Sequence, residues 1–107
     1  MPTRRYEVLL PARFNDGREV VETCMRCVPD TVMQVVDRFG ALTFDPRPST
    51  GVWTAMGMRY DDELFRLVVD IPDTDDSRQW VAMFKEELLR RFDQIEIYVV
   101  SYAVDVH

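Results

Sequence analysis

The chain has 107 residues, 47% hydrophobic and 30% charged, with a formal net charge of −6 at pH 7. Those values describe one globular domain, residues 1–107, large enough for a single core without metal or disulfide staples. They argue against disorder, and the acidic balance argues against nucleic acid, whose affinity comes mainly from cations set against phosphate. The cations comprise twelve Arg and a single Lys, Lys85, a bias that a GC-rich coding sequence explains better than a need for bidentate guanidinium forks. No apolar run approaches a membrane span, and Tyr6 to Leu10 is too short for a signal segment, so a cytoplasmic protein is expected.

In chain order, Tyr6 to Pro11 reads as the first strand, with Val8 and Leu10 on one face. Asn15-Asp16-Gly17 is a tight-turn signal. Val20, Cys24, Val28, Val32, Val35 and Phe39 then recur at helical spacing with Pro29 inside the pattern. A proline deep in a helix removes a donor and clashes with the preceding turn, so the helix is expected to begin near Pro29 and to stop at Gly40. Val32, Val35, Val36 and Phe39 would face the sheet. The conformation of residues 18–28 stays open between strand, loop and kinked helix.

Leu42-Thr43-Phe44 begins the second strand, Asp45 to Ser49 interrupts it, and Gly51 to Met56 resumes pairing beyond a bulge. Gly57 turns the chain into a third strand, Leu64 to Ile71, with Phe65, Leu67, Val69 and Ile71 as its buried row. Asp73-Thr74-Asp75-Asp76-Ser77 opens a second helix, its acids suiting the positive end of the helix dipole better than a cation loop, because EF-hand spacing is absent. Trp80, Val81, Phe84 and Leu88 form its apolar stripe. The fourth strand is expected from Ile95 to about Val106 and is apolar on both faces. Ile97 and Val99 would face the helices, with Tyr98, Val100, Tyr102 and Val104 opposite.

Two strand–helix–strand units are visible in tandem. Arg38-Phe39-Gly40-Ala41-Leu42-Thr43-Phe44 and Arg91-Phe92-Asp93-Gln94-Ile95-Glu96-Ile97 share one register, and each follows a strand ending in proline. The expected fold is α+β: a ferredoxin-like split βαβ (βαββαβ) sandwich with two helices on one face of a four-stranded antiparallel sheet. Such a sheet leaves one face bare, so an apolar outer row calls for cover from a second copy or a small protein partner.

Few residues carry recognisable chemistry. Cys24-Met25-Arg26-Cys27 fits a redox dithiol, half of a zinc site, or two inert thiols, and the last is expected. Zinc needs four ligands, and the one histidine is His107. A lone histidine at a chain end also excludes nucleophile–histidine hydrolysis. Arg59, Tyr60, Asp61 and Glu63, with Trp53, are candidates for a small polar pocket at one end of the sheet. An RNA-recognition role shares the topology, but Arg59-Tyr60-Asp61-Asp62-Glu63-Leu64-Phe65 carries acids where that motif is basic and small. No cofactor is implied.

Phe14-Asn15-Asp16-Gly17, Arg38-Phe39-Gly40-Ala41, Gly51-Val52-Trp53, Tyr60-Asp61-Asp62-Glu63-Leu64, Val69-Asp70-Ile71-Pro72-Asp73, Phe84-Lys85-Glu86-Glu87-Leu88 and Arg91-Phe92-Asp93-Gln94 together resemble a set of small uncharacterised bacterial proteins, a domain of unknown function. The resemblance spans Tyr6 to Val104, departs between Val20 and Pro29, and implies a ferredoxin-like fold without an activity. Two functions are carried forward. The first is a non-enzymatic interaction or regulatory domain, acting as a homodimer or small-complex subunit through Tyr98, Val100, Tyr102, Val104 and Trp53. The second is a small-molecule binder or cofactor-free enzyme of the dimeric α+β-barrel type.

Overall fold

The computed structural model describes residues 2–107. Its elements run β1 (Thr3–Pro11), α1 (Val20–Thr23), α2 (Cys27–Phe39), β2 (Thr43–Ala55), β3 (Met58–Pro72), α3 (Asp75–Arg91) and β4 (Val99–Val104). One antiparallel sheet has the strand order β2-β3-β1-β4. This is the expected βαββαβ sandwich.

Strand alternation builds the core. Tyr6, Val8 and Leu10 of β1 and Phe65, Leu67, Val69 and Ile71 of β3 are all buried on the helix side, where pleating sends every second side chain. Val28, Thr31 and Val35 of α2 and Phe84 and Leu88 of α3 close over them. The helices meet through Phe39 and Trp80, edge to face at 5.0 Å, and Trp80 stacks on Phe84 at 4.8 Å. Thr31, polar yet fully buried, donates its hydroxyl proton to the Cys27 carbonyl at 2.7 Å.

The helix boundaries follow local chemistry. Pro29 is the third residue of α2, where backbone N–H groups have no intrahelical acceptor, so the ring costs no hydrogen bond. Gly40 ends α2 with φ 88°, a left-handed position. The Thr74 hydroxyl caps α3, accepting from the Ser77 N–H at 3.2 Å, and Asp75, Asp76, Arg90 and Arg91 complement its dipole.

Two strand boundaries and the state of the cysteines differ from expectation, and the open segment takes a definite form. Residues 18–28 hold a four-residue helix, α1, whose Val20 is buried, and a turn leading to α2; the chain is helical on both sides of the cysteines. Cys24 and Cys27 are joined by a disulfide, which corrects the reading of two separate thiols and leaves neither as a thiolate ligand for zinc. β3 begins at Met58 rather than Leu64, and β4 covers Val99–Val104 rather than starting at Ile95. β2 does carry its irregularity between Asp45 and Ser49.

Candidate functional site

Unequal strand lengths create the most distinctive surface. β1 stays in register with β3 only from Thr3 opposite Pro72 to Pro11 opposite Leu64. β2 and β3 continue past that point as a two-stranded arm, Gly51 opposite Asp62 through Ala55 opposite Met58. Met56 and Gly57 close the arm with φ 53° and 77°, the positive pair that a two-residue hairpin turn requires. Along the arm Trp53 stacks on Tyr60 at 4.4 Å, and its indole N–H donates to Asp62 at 2.7 Å. Such cross-strand pairs hold a ribbon that has no core beneath it. Val52, Trp53, Met56, Met58 and Tyr60 are all exposed.

Where β1 leaves the sheet, the far wall comes from two other segments. Ala12 donates its N–H to the Glu63 carbonyl at 2.9 Å and the chain then turns away. Asn15 donates to the Asp93 carbonyl at 3.2 Å and Gln94 donates to Asn15 at 3.3 Å, tying the first turn to the loop after α3. Ile97 anchors that loop in the core, and the Tyr98 carbonyl accepts from Leu9 at 3.0 Å. Between arm and loops lies a cleft of about 1110 Å³. Trp53, Phe14 and Tyr98 supply its aromatic surface, and Asp61, Asp62, Glu63 and Glu96 its carboxylates, against one guanidinium, Arg13. Arg13 lies 3.4 Å from Glu63 and 3.4 Å from Glu19. Lys85, 2.8 Å from Glu96, holds that carboxyl below its usual pKa by hydrogen bonding and charge.

The sequence-derived pocket residues are divided by this geometry. Asp61 and Glu63 line the cleft. Arg59 pairs with Asp61 at 3.0 Å, and Tyr60 lies against Trp53. Missed by sequence reasoning were Phe14, Glu96 and the position of Tyr98. Only the Asn15-Asp16-Gly17 turn signal hinted that Phe14 sits at an edge.

The sheet face away from the helices is polar where β1 and β3 lie, with the outer row of the fourth strand along one edge. At its centre Tyr102 donates to Glu7, Arg66 donates to the other Glu7 oxygen at 2.7 Å, and Arg5 grips Asp70 through two bonds of 2.7 and 2.9 Å. The Tyr102 hydroxyl and then Arg66 pull the Glu7 pKa down; Glu7 in turn pushes Tyr102 up. Arg5 lowers Asp70. Val100 and Val104 are half-buried around this ladder, whereas Tyr98 and Tyr102 are 63% and 41% exposed. The alternation predicted for this strand holds, but its outer row mixes apolar and hydrogen-bonded groups.

The geometry defines a ferredoxin-like α+β protein with an extended β2–β3 arm. No family model matches the chain, and no curated protein matches it. Among solved structures it is similar to CutA1 from Oryza sativa (TM-score 0.64, 11% identity, 100% of this chain and 84% of that one). It is also similar to the divalent cation tolerance protein CutA1 from Thermus thermophilus (TM-score 0.65, 10% identity, 98% and 86%). A phage SAM lyase in complex with S-methyl-5′-thioadenosine matches as well (TM-score 0.68, 15% identity, 97% and 90%). At these identities the likeness establishes the fold, of the type found in CutA1. Among the described residues, no helix is long and apolar enough to cross a membrane, and no three His, Cys, Asp or Glu side chains gather as metal ligands.

Proposed function

We propose that this chain is a self-associating interaction domain whose copies meet through the β2–β3 arm and the outer sheet face. The observation that carries this reading is the arm's unburied apolar surface: Val52, Trp53, Met56, Met58 and Tyr60 stand clear of the core, with Met56 wholly exposed. Trp53, Tyr60 and Met58 share one face of the arm, and an exposed apolar patch of this kind marks an association site. Tyr98, Val100, Tyr102 and Val104 form a second apolar row at the opposite edge of the sheet, while the Arg5–Asp70 and Glu7–Arg66 pairs between the two supply the polar contacts that fix register between like surfaces. The role is non-enzymatic, and a net charge of −6 sets nucleic acid aside as partner. Light scattering of the purified protein should give a multiple of 12.6 kDa, and Trp53→Glu or Tyr102→Glu should return it to one chain mass. A single-chain mass for the parent protein, or an unchanged multiple in both variants, rejects the reading.

A second reading has its own support in the cleft. Aromatic faces beside four carboxylates suit a cationic small molecule bearing a flat ring. The phage SAM lyase, whose structure holds S-methyl-5′-thioadenosine, shares this fold along almost the whole chain. A nucleoside sulfonium such as S-adenosylmethionine matches both features, with its adenine for Trp53 or Tyr98 and its cationic sulfur and ammonium for Asp61 to Glu63. Calorimetry with S-adenosylmethionine and S-methyl-5′-thioadenosine tests it. Saturable binding weakened roughly tenfold by Asp62→Asn, the loss of one charge-assisted contact, is expected; no heat from either ligand ends this reading.

A further inference from the structure

We propose that Cys24 and Cys27 are a reversible dithiol–disulfide couple that exchanges with small thiols of the glutathione class, with Cys24 as the sulfur under attack. The bridge encloses only Met25 and Arg26. Disulfides stabilise by restricting the unfolded chain, and that effect grows with the length of the loop closed. A bridge across two residues is therefore a poor staple, whereas the same spacing is the one that redox dithiols use.

The two sulfurs occupy unlike settings. Cys27 is the first residue of the 13-residue helix α2 and is only 6% exposed. Burial shields Cys27 Sγ from an incoming nucleophile, so it is the sulfur that leaves when the bridge is attacked from its open side. Cys27 Sγ lies 3.8 Å from the Arg91 carbonyl, an acceptor for the thiol proton once the pair is reduced. Cys24 is half-buried, and the turn beside it stands open to solvent, with Met25 78% exposed. An incoming thiolate reaches Cys24 first.

Exchange then balances in two steps. A thiolate RS⁻ bonds to Cys24 Sγ, the Cys24–Cys27 bond breaks, and its electron pair leaves on Cys27 Sγ. A second RS⁻ attacks the R-group sulfur of the mixed disulfide, releasing RSSR and the Cys24 thiolate; both cysteines take up protons. Two thiols are oxidised and one disulfide is reduced, a two-electron change. The couple is tied by backbone to the strand end that leads into the cleft: the Cys24 N–H donates to the Val20 carbonyl and the Val20 N–H to the Ala12 carbonyl, each at 2.9 Å, one residue before Arg13.

The experiment equilibrates the full chain in glutathione buffers of graded reduced-to-oxidised ratio, quenches in acid, and counts thiols by maleimide mass shift. Far-UV circular dichroism is followed in parallel. Zero-thiol and two-thiol forms should interconvert in both directions with the fold unchanged. In the single variants, Cys27→Ser should collect roughly tenfold more glutathione on Cys24 than Cys24→Ser collects on Cys27, as the difference in access dictates. A bridge that yields to reduced glutathione only after the fold is lost overturns the proposal. So does a reduced protein that fails to re-form the bridge in oxidised glutathione, and so does equal adduct on the two variants. The parent-protein titration decides the matter even if a variant does not fold.

Discussion

Glu7 sits mid-strand on β1, where a strand that leaves one face bare would ordinarily carry a polar residue for solvent. Here it is instead the hub of the outer face, accepting from Tyr102 on β4 and Arg66 on β3. Those bonds favour its charged form, as the Arg5 fork does for Asp70, so both carboxyls titrate below their usual range in the folded chain. Their contribution to stability is complete above an unfolded pKa of about 4 and disappears as pH falls through the lower folded values. Tyr102 runs the other way. Its pKa is raised by Glu7, so its contribution is present below about 10 and is lost as pH rises through the folded value. Thermal melts across pH should therefore show a plateau with an acid and an alkaline limb. Glu7→Gln should make the acid limb shallower, leaving the Asp70 share, and bring the alkaline limb down towards the ordinary tyrosine range; a profile identical to that of the parent protein would show that the ladder does not couple to folding. Exposed charged residues on a bare sheet face look alike in a sequence, and nothing local says which of them find each other across three strands.

Element by element, legibility tracks the period of burial. The β3 row Phe65, Leu67, Val69, Ile71 and the α3 stripe through Trp80, Phe84 and Leu88 are evident because each repeats at the spacing of its own secondary structure. The end of α2 is evident because φ 88° at Gly40 is a conformation few other residues adopt. A Cβ built there meets nothing within 4 Å, so Gly40→Ala tests the backbone alone and should cost about 1 kcal/mol in urea unfolding, with Gly40→Asn costing less. Two elements escaped the pattern. α1 is only four residues long, too short to show a period, and it is held by the Val20 N–H bonding Ala12 and by burial of Val20. The first half of β3, Met58 to Glu63, alternates only Met58 and Tyr60 before three acids, too short a pattern to read as a strand, because a two-stranded ribbon needs backbone partners from β2 rather than a buried face.

At the scale of the molecule, the arm makes the protein larger than its mass warrants. The radius of gyration is 14.5 Å, against about 13 Å for a compact chain of this length. The accessible surface is 7208 Å², against about 6200 Å² for a monomer of this mass. Both excesses fit a shape that projects a ribbon outward, the surface that the proposed association would cover. Hydrogen exchange gives the matching expectation. Amides of Val52 to Tyr60 should exchange much faster than those of Tyr6 to Leu10 in a dissociated variant such as Trp53→Glu, and should slow in the assembled parent protein. Equal arm exchange in both states would place the contact elsewhere.

Periodicity, capping residues and turn residues are properties of neighbours along the chain, and they alone were enough to define the βαββαβ order, the buried rows and the helix ends. The cleft, the polar ladder and the joined cysteines were decided only in three dimensions. The cleft exists because β3 outruns β1. The ladder exists because register sets Glu7 between Val68 and Val100, with Arg66 and Tyr102 at the diagonal positions from which their side chains reach it. The cysteines are joined because the turn between α1 and α2 brings Cys24 back beside Cys27, and each of these outcomes depends on how separately legible segments come to rest against one another.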